Sequence, residues 1–515
     1  MKGSRNLLKA MFQRVTIVTL SILAQLAVLA LGLIRAGEAY RIVSIALSVI
    51  SWVLLLYIIS ASRARQAYKL AWASPLLLLP VLGILLYAFF GGKSQSRRTI
   101  RKVEEERALR STELWQDPDV LAALERDVPD AARCAKYLLQ ASIAPVYRDC
   151  TTEFYSPAEE AEEALMEAIE QAEHYLFLEY FILSPGQIWD RVLAALERKA
   201  AQGVDVRLLY DDFGCIQHLP MHYAKDLRER GIRAYAVNPY IPILSSRLNN
   251  RDHRKMLISD GVVAFTGGVN LSDEYFNKVP RFGDCWKDSL IRLEGDAVWS
   301  MAVAFLITWR GISGEEISFR DFQPERRFEA LPGAGFVQPY FDTPKDDEQV
   351  GENAYLSIIS AARKTLDIQT PYLVIDEAMT LALCTAARSG VRVRIFLPGV
   401  PDKWYVHMLS RACYEELMEA GVEIYEFTPG FLHSKIILAD EHIAIVGTIN
   451  LDFRSLYLHY EDAVLLADAP SIPRICRDFE ELLPRCERFS VSSARSKNAP
   501  HRLLQAVLRV FAPLF

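Results

Sequence analysis

Apolar positions are spread unevenly along the chain. Three nearly uncharged runs open it, Val15–Ile34, Ile42–Ser60 and Leu70–Phe90, each close to the roughly 20 residues that cross a hydrocarbon core. A cleavable leader does not fit, because two more runs follow at once and no small-residue cleavage site closes the first. Pro75, Pro80 and Gly83 interrupt the third run, which predicts a kinked or re-entrant segment there. Residues 99–124 then read as a charged helix. Beyond Pro157 the pattern alternates. Ala161, Leu165, Ala168 and Ile169 recur at helical spacing, and Tyr175–Leu183 follows as an apolar strand. Helix into buried strand recurs at 188–199 into 204–210 and at 378–389 into 391–398, which predicts α/β layers.

Charge adds direction to the opening runs. Lys2, Arg5, Lys9 and Arg14 precede the first, Arg63, Arg65 and Lys69 follow the second, and Lys93, Arg97, Arg98, Arg101 and Lys102 follow the third. Basic residues stay on the cytoplasmic side, so the expectation is an N-terminal helical membrane anchor with two crossings and the catalytic mass inside. Over 515 residues, 58 basic against 64 acidic side chains leave a formal net charge of -6, which disfavours nucleic acid as a partner. The 8 cysteines include no C-x-x-C pair and read as reduced, structural thiols.

A long-period repeat carries the candidate chemistry. DHRKMLISDGVVAFTGGVN aligns without a gap to LHSKIILADEHIAIVGTIN, pairing His253 with His433, Lys255 with Lys435, Asp260 with Asp440 and Asn270 with Asn450, always 180 residues apart. In each H-x-K the two side chains share one face of a strand, and a return strand brings the asparagine back beside them. Two copies supply two imidazoles, two ammonium groups and two amides. That set suits a phosphodiester: cations and amides neutralise the non-bridging oxygens, one neutral imidazole attacks phosphorus, and the other protonates the leaving alcohol. No metal or other cofactor is needed.

With these motifs the chain resembles the phospholipase D superfamily, whose signature is the duplicated HKD motif, and within it the bacterial cardiolipin synthases. KLAWASPLLLLPVLGILLYAFFGG, GVDVRLLYDDFG, TPYLVID, GVRVRIFLPGVPD, PGFLHSK and GTINLDFRSLYLHYE extend the likeness over nearly the whole chain. The resemblance implies two homologous phospholipase D-like domains sharing one central site. The expected divisions are an anchor over 1–95, a helical linker over 96–140, the two domains over 141–330 and 331–500, and an amphipathic tail over 501–515. It implies His253 as nucleophile, His433 as acid and then base (roles the near symmetry could exchange), Lys255, Lys435, Asn270 and Asn450 on the phosphate, and Glu461 and Asp288 as histidine-orienting carboxylates. Asp260 and Asp440 complete the motifs in a structural or supporting role. It further implies transfer of a phosphatidyl group between two phosphatidylglycerol molecules, with phosphatidylglycerol and membrane phospholipid as partners and a multi-pass place in a bacterial inner membrane. Another phospholipase D-type transferase or hydrolase is the alternative. Two departures stand out: Thr448 replaces a serine, and His459 stands where asparagine is expected.

Other features carry less. His218 and His222 have a metal-like spacing on a helix, but Pro220 between them breaks that helix. Asp211 and Asp212 fit a site rim or a turn cap equally. Lys403, Trp404 and Tyr405 fit an ordinary loop better than a headgroup entrance. Leu504, Val507, Leu508 and Phe511 share one face of a C-terminal helix, suited to a bilayer or to domain packing.

Overall fold

A computed structural model describes residues 97–148, 150–239, 249–324, 333–490 and 499–512, with Leu23, 39–60, 66–78, 83, 84, 87 and 91 nearer the N-terminus. Two seven-stranded arrays of the same design form its body. The first contains β1 (Thr151–Tyr155), β2 (Tyr175–Tyr180), β3 (Asp205–Asp211), β4 (Arg233–Val237), β5 (Lys255–Ser259), β6 (Val263–Gly267) and β7 (Leu290–Glu294). Their spatial order is β1-β7-β6-β5-β2-β3-β4. The second contains β8 (Phe336–Asp342), β9 (Thr365–Gln369), β10 (Arg392–Pro398), β11 (Glu423–Phe427), β12 (Ile436–Ala439), β13 (Ile443–Gly447) and β14 (His459–Ala467). Its order β8-β14-β13-β12-β9-β10-β11 repeats the first strand for strand, with short strands at 147–148 and 486–488 added at its edges.

In each array the three strands joined by helical crossovers run parallel, and the hairpin carrying the repeated motif lies antiparallel beside them. Every residue of β2, β5 and β12 is buried. Such burial on both faces requires a nearly continuous apolar run, and Met256–Ile258 and Ile436–Ala439 provide it.

The two sheets share an inner core. Phe177 and Met256 of the first meet Leu438, Val446 and Val464 of the second, and the helix Ala297–Ser313 runs between them with Ala302, Phe305 and Trp309 enclosed. Each such large side chain taken from water stabilises by about 1.5–3 kcal/mol. Outer helices cover the far faces: Glu162–Gln171 and Gln187–Ala201 on the first sheet, and Pro129–Ser142, Val350–Ala361, Glu377–Arg388 and Trp404–Glu419 on the second. The eight cysteines form no disulfide.

The N-terminal expectation is corrected. Among the described residues no helix is long and apolar enough to cross a membrane, which overturns the membrane anchor, the embedded state and the multi-pass placement in a cell membrane. The first apolar run lies outside the described residues apart from Leu23. The second lies in helix α1 (Ala39–Ser60), of 22 residues. The third is described only in part. Its helix α2 (Gln66–Leu78) has 13 residues and holds Pro75, so it rises only about 20 Å. Part of the apolar surface is spent between the two helices, where Ile58, Trp72 and Leu76 are buried and Ser51 Oγ donates to the Leu76 carbonyl over 2.7 Å.

The C-terminal helix α3 (Ala499–Phe511) packs through Leu508 and Ala512 against Val374, Leu409 and Phe453. Leu503, Leu504 and Val507 remain exposed on it. The division expected at 330/331 falls within 325–332, outside the described residues.

Candidate active site

The two motif hairpins meet at the seam between the domains. His253 and Lys255 flank the start of β5, and His433 and Lys435 the start of β12. Backbone bridges fix the two histidines in matched ways. Arg251–Asp252 pairs in parallel with His459–Tyr460, so the His253 N–H donates to the Tyr460 carbonyl at 2.9 Å. Gly430–Leu432 pairs in parallel with Cys285–Lys287, so the His433 N–H donates to the Lys287 carbonyl at 2.7 Å. The residue after each of those carbonyls is a carboxylate, and it reaches the histidine just described. His253 Nδ1 lies 2.9 Å from Glu461 Oε2, and His433 Nδ1 lies 2.7 Å from Asp288 Oδ2. Each domain therefore orients the other domain's imidazole.

An ionised carboxylate only accepts, so Nδ1 of His253 carries the proton and Nε2 keeps a lone pair; the shorter contact of His433 Nδ1, 2.7 Å to Asp288 against 2.9 Å to Lys435 Nζ, favours the same tautomer there. Burial, the dominant influence, pushes His253 down to about 3 and His433 to about 4, against the opposing pull of the neighbouring carboxylates. Burial alone would raise Glu461 and Asp288, but the facing histidines outweigh it and hold both below the ordinary carboxylate range. At neutral pH each pair is a neutral imidazole on an ionised carboxylate. The lysines are buried too, which lowers Lys255 to about 8 and Lys435 to about 7. Each Nζ donates to the carbonyl of the histidine two residues before it.

Behind the carboxylates the halves differ. The Thr448 hydroxyl donates to Glu461 Oε2 and lies 3.0 Å from the Asp462 carbonyl. Gly268 occupies the corresponding place in the first half, where an added Cβ would sit 2.0 Å from Asp288 Oδ1. The shorter aspartate needs that space.

His253, His433, Asn270, Asn450 and His459 all line one cavity of about 610 Å³. Asn270 Oδ1 accepts from the Ile182 N–H at 2.9 Å, leaving its amide protons as donors. Asn450 Oδ1 has no hydrogen-bond partner among the described residues. Aromatic rings wall the site: Phe181 lies 5.1 Å from His253, and Trp286 and Tyr275 lie 5.2 and 5.5 Å from His433, between centroids.

Asp260 and Asp440 lie elsewhere. Both turn residues have positive φ (51° and 52°), and each carboxylate accepts from three successive backbone N–H groups, at 173–175 and at 363–365. They tie the motif hairpin to the start of the neighbouring strand. Asp211 likewise accepts from the backbone of Phe213, Gly214 and Asp252. His218 Nδ1 lies 3.1 Å from Ser184 Oγ, and His222 starts a short helix at positive φ. Lys403 and Tyr405 reach the cavity rim, while Trp404 is exposed.

Asp462 was not legible as a site residue. It is fully enclosed, accepts from the Thr266 hydroxyl and, at 3.4 Å, from the Lys255 N–H, and burial raises it to about 7. Its only sequence signal is adjacency to Glu461.

Comparison with known proteins agrees with this architecture. The family described as "Cardiolipin synthase, PLD-like domain" matches residues 165–280 and 355–483, and "Phospholipase_D-nuclease N-terminal" matches 46–92. A cardiolipin synthase of Geobacillus thermodenitrificans is 33% identical over 482 residues, 93% of this chain and 95% of the relative. A cardiolipin synthase of Alkalihalophilus pseudofirmus is 32% identical over 462 residues, 89% of this chain and 91% of the relative. An uncharacterised Streptococcus mutans protein is 36% identical, covering 89% and 99%. The solved phosphatidylserine synthase of Haemophilus influenzae superposes with a TM-score of 0.55 at 14% identity, over 75% of this chain and 98% of that one, a likeness of fold.

Proposed function

Because this chain belongs to the bacterial cardiolipin synthase family of the phospholipase D superfamily, we propose that it is a phosphatidyltransferase making cardiolipin from two phosphatidylglycerol molecules. His253 Nε2 attacks phosphorus of the first lipid. The bond to the glycerol oxygen breaks, His433 supplies that oxygen with a proton, and glycerol leaves. His433 then takes the proton from a terminal glycerol hydroxyl of the second lipid, whose oxygen displaces His253 from phosphorus. One phosphodiester replaces another, so no nucleotide is consumed. Lys255, Lys435, Asn270 and Asn450 hold the non-bridging oxygens as charge moves onto them. The negative charge of a bound phosphodiester favours protonation of His433.

The observation that carries this reading is the crossed pair of dyads, His253–Glu461 and His433–Asp288, opening on one cavity. Two oriented imidazoles on opposite sides of one phosphorus suit in-line double displacement. Mass spectrometry of products from phosphatidylglycerol alone tests it: cardiolipin and glycerol in equal amounts are expected. Phosphatidic acid with glycerol would identify water as the acceptor and a hydrolase instead.

A further inference from the structure

His459 is a buried side chain that this reaction leaves unused. It is 8% exposed and lines the cavity, yet neither ring nitrogen has a hydrogen-bond partner among the described residues. The charged group beside it is Glu461, whose Oε1 lies 3.6 Å from His459 Nδ1. The His253 ring is 5.5 Å away between centroids. A buried imidazole whose nitrogens reach only a carboxylate oxygen beyond hydrogen-bond distance is an exception that calls for a ligand.

We propose that His253, His459 and Glu461 form a site for a divalent transition-metal ion whose binding withdraws His253 from catalysis. One donor atom from each of the three lies within 4.8 Å of the other two. From Glu461 Oε1, His253 Nδ1 and His459 Nδ1 lie 3.0 and 3.6 Å away, which bracket the roughly 3.4 Å edge that tetrahedral bonds of about 2.1 Å give. Two imidazoles and one carboxylate suit zinc, cobalt, nickel or iron rather than magnesium or calcium. Thr448 supports Glu461 from behind, as outer partners of metal ligands do, and His253 and His459 both line the cavity.

The other half cannot copy the site. Trp286 holds the place of His459 there: Trp286 pairs with Phe431, two residues before His433, as His459 pairs with Arg251, two residues before His253. An indole offers no lone pair. The metal therefore takes one histidine of the two: with His253 Nδ1 bound to the metal, the neutral imidazole carries its proton on Nε2 and has no lone pair left there to attack phosphorus. The inhibitory part rests on the role proposed above for His253, whereas binding does not depend on it.

Equilibrium dialysis of the full chain, stripped with a chelator and then titrated with Co²⁺ alone, separates the two. One ion per chain is expected, with visible Co²⁺ absorption. His459→Asn and His459→Trp should each weaken binding at least tenfold, while His433→Ala should retain it. Zn²⁺ should inhibit turnover reversibly, with the half-inhibiting concentration at least tenfold higher in His459→Asn. No Co²⁺ bound at 100-fold excess, unchanged binding in both His459 variants, or loss of binding in His433→Ala would overturn the site. One ion bound with turnover unchanged would overturn the inhibitory half.

Discussion

His253 and Glu461 are 208 residues apart in sequence and 2.9 Å apart in space, joined across the domain seam. Glu461→Gln keeps the shape of the side chain but can present an amide N–H to Nδ1, which favours the wrong tautomer. General acid–base and tautomer control contribute about 10²–10⁴ in rate. The expected result is a kcat loss in that range with a nearly unchanged KM for phosphatidylglycerol. A loss below tenfold would remove Glu461 from the proposed scheme.

The two histidines become distinguishable with a better leaving group. A p-nitrophenyl phosphodiester needs no proton on departure, so His433→Ala should still release a burst of p-nitrophenol, equal to the enzyme concentration. His253→Ala should release none. The reverse pattern would exchange the nucleophile and acid roles.

Lys435 at about 7 and Lys255 at about 8 set an alkaline limb. As pH rises through these values the ammonium groups lose charge, and a phosphodiester anion loses its counter-ions. Because kcat/KM reports the free enzyme, it should fall between about pH 7 and 9. Inorganic phosphate should also bind more weakly over the same window, measured by competition. A flat profile to pH 9.5 would contradict the lysine assignment.

Gly268→Ala places a methyl against Asp288 and should tilt His433. Misplacement by about 1 Å costs on the order of 10²-fold in rate. Turnover should drop by that order while the thermal midpoint moves little. Full activity would show that Asp288 tolerates displacement.

Asp440→Asn tests the turn clamp. Three backbone N–H groups lose a charged acceptor, and bonds to charged groups are each worth about 1.5–3 kcal/mol. Burial raises the Asp440 carboxyl, but the backbone donors outweigh that and lower it. Its contribution is therefore present above the ordinary carboxylate value and is lost as pH falls through the folded one. The variant should unfold at lower urea concentration at pH 7, with the difference shrinking toward pH 3. Turnover below the unfolding transition should persist.

The sequence alone established the α/β alternation and the duplicated H-x-K hairpins, because both rest on local periods: apolar residues at helical spacing, and side chains two apart on one strand. It also supplied Glu461 and Asp288 by resemblance. Tertiary structure decided which histidine each carboxylate serves. Those pairs span 208 and 145 residues, and their contact depends on how two sheets dock, which no local period records. Docking likewise sent Asp260 and Asp440 to the backbone of neighbouring strands, enclosed Asp462, and left the His459 ring without a hydrogen bond among the described residues. Composition misled at the N-terminus, where apolar runs suggested crossings. Hydrophobicity measures the tendency to leave water, which packing between the two helices meets at Ile58, Trp72 and Leu76, while Ile45, Trp52, Val53 and Leu56 stay exposed.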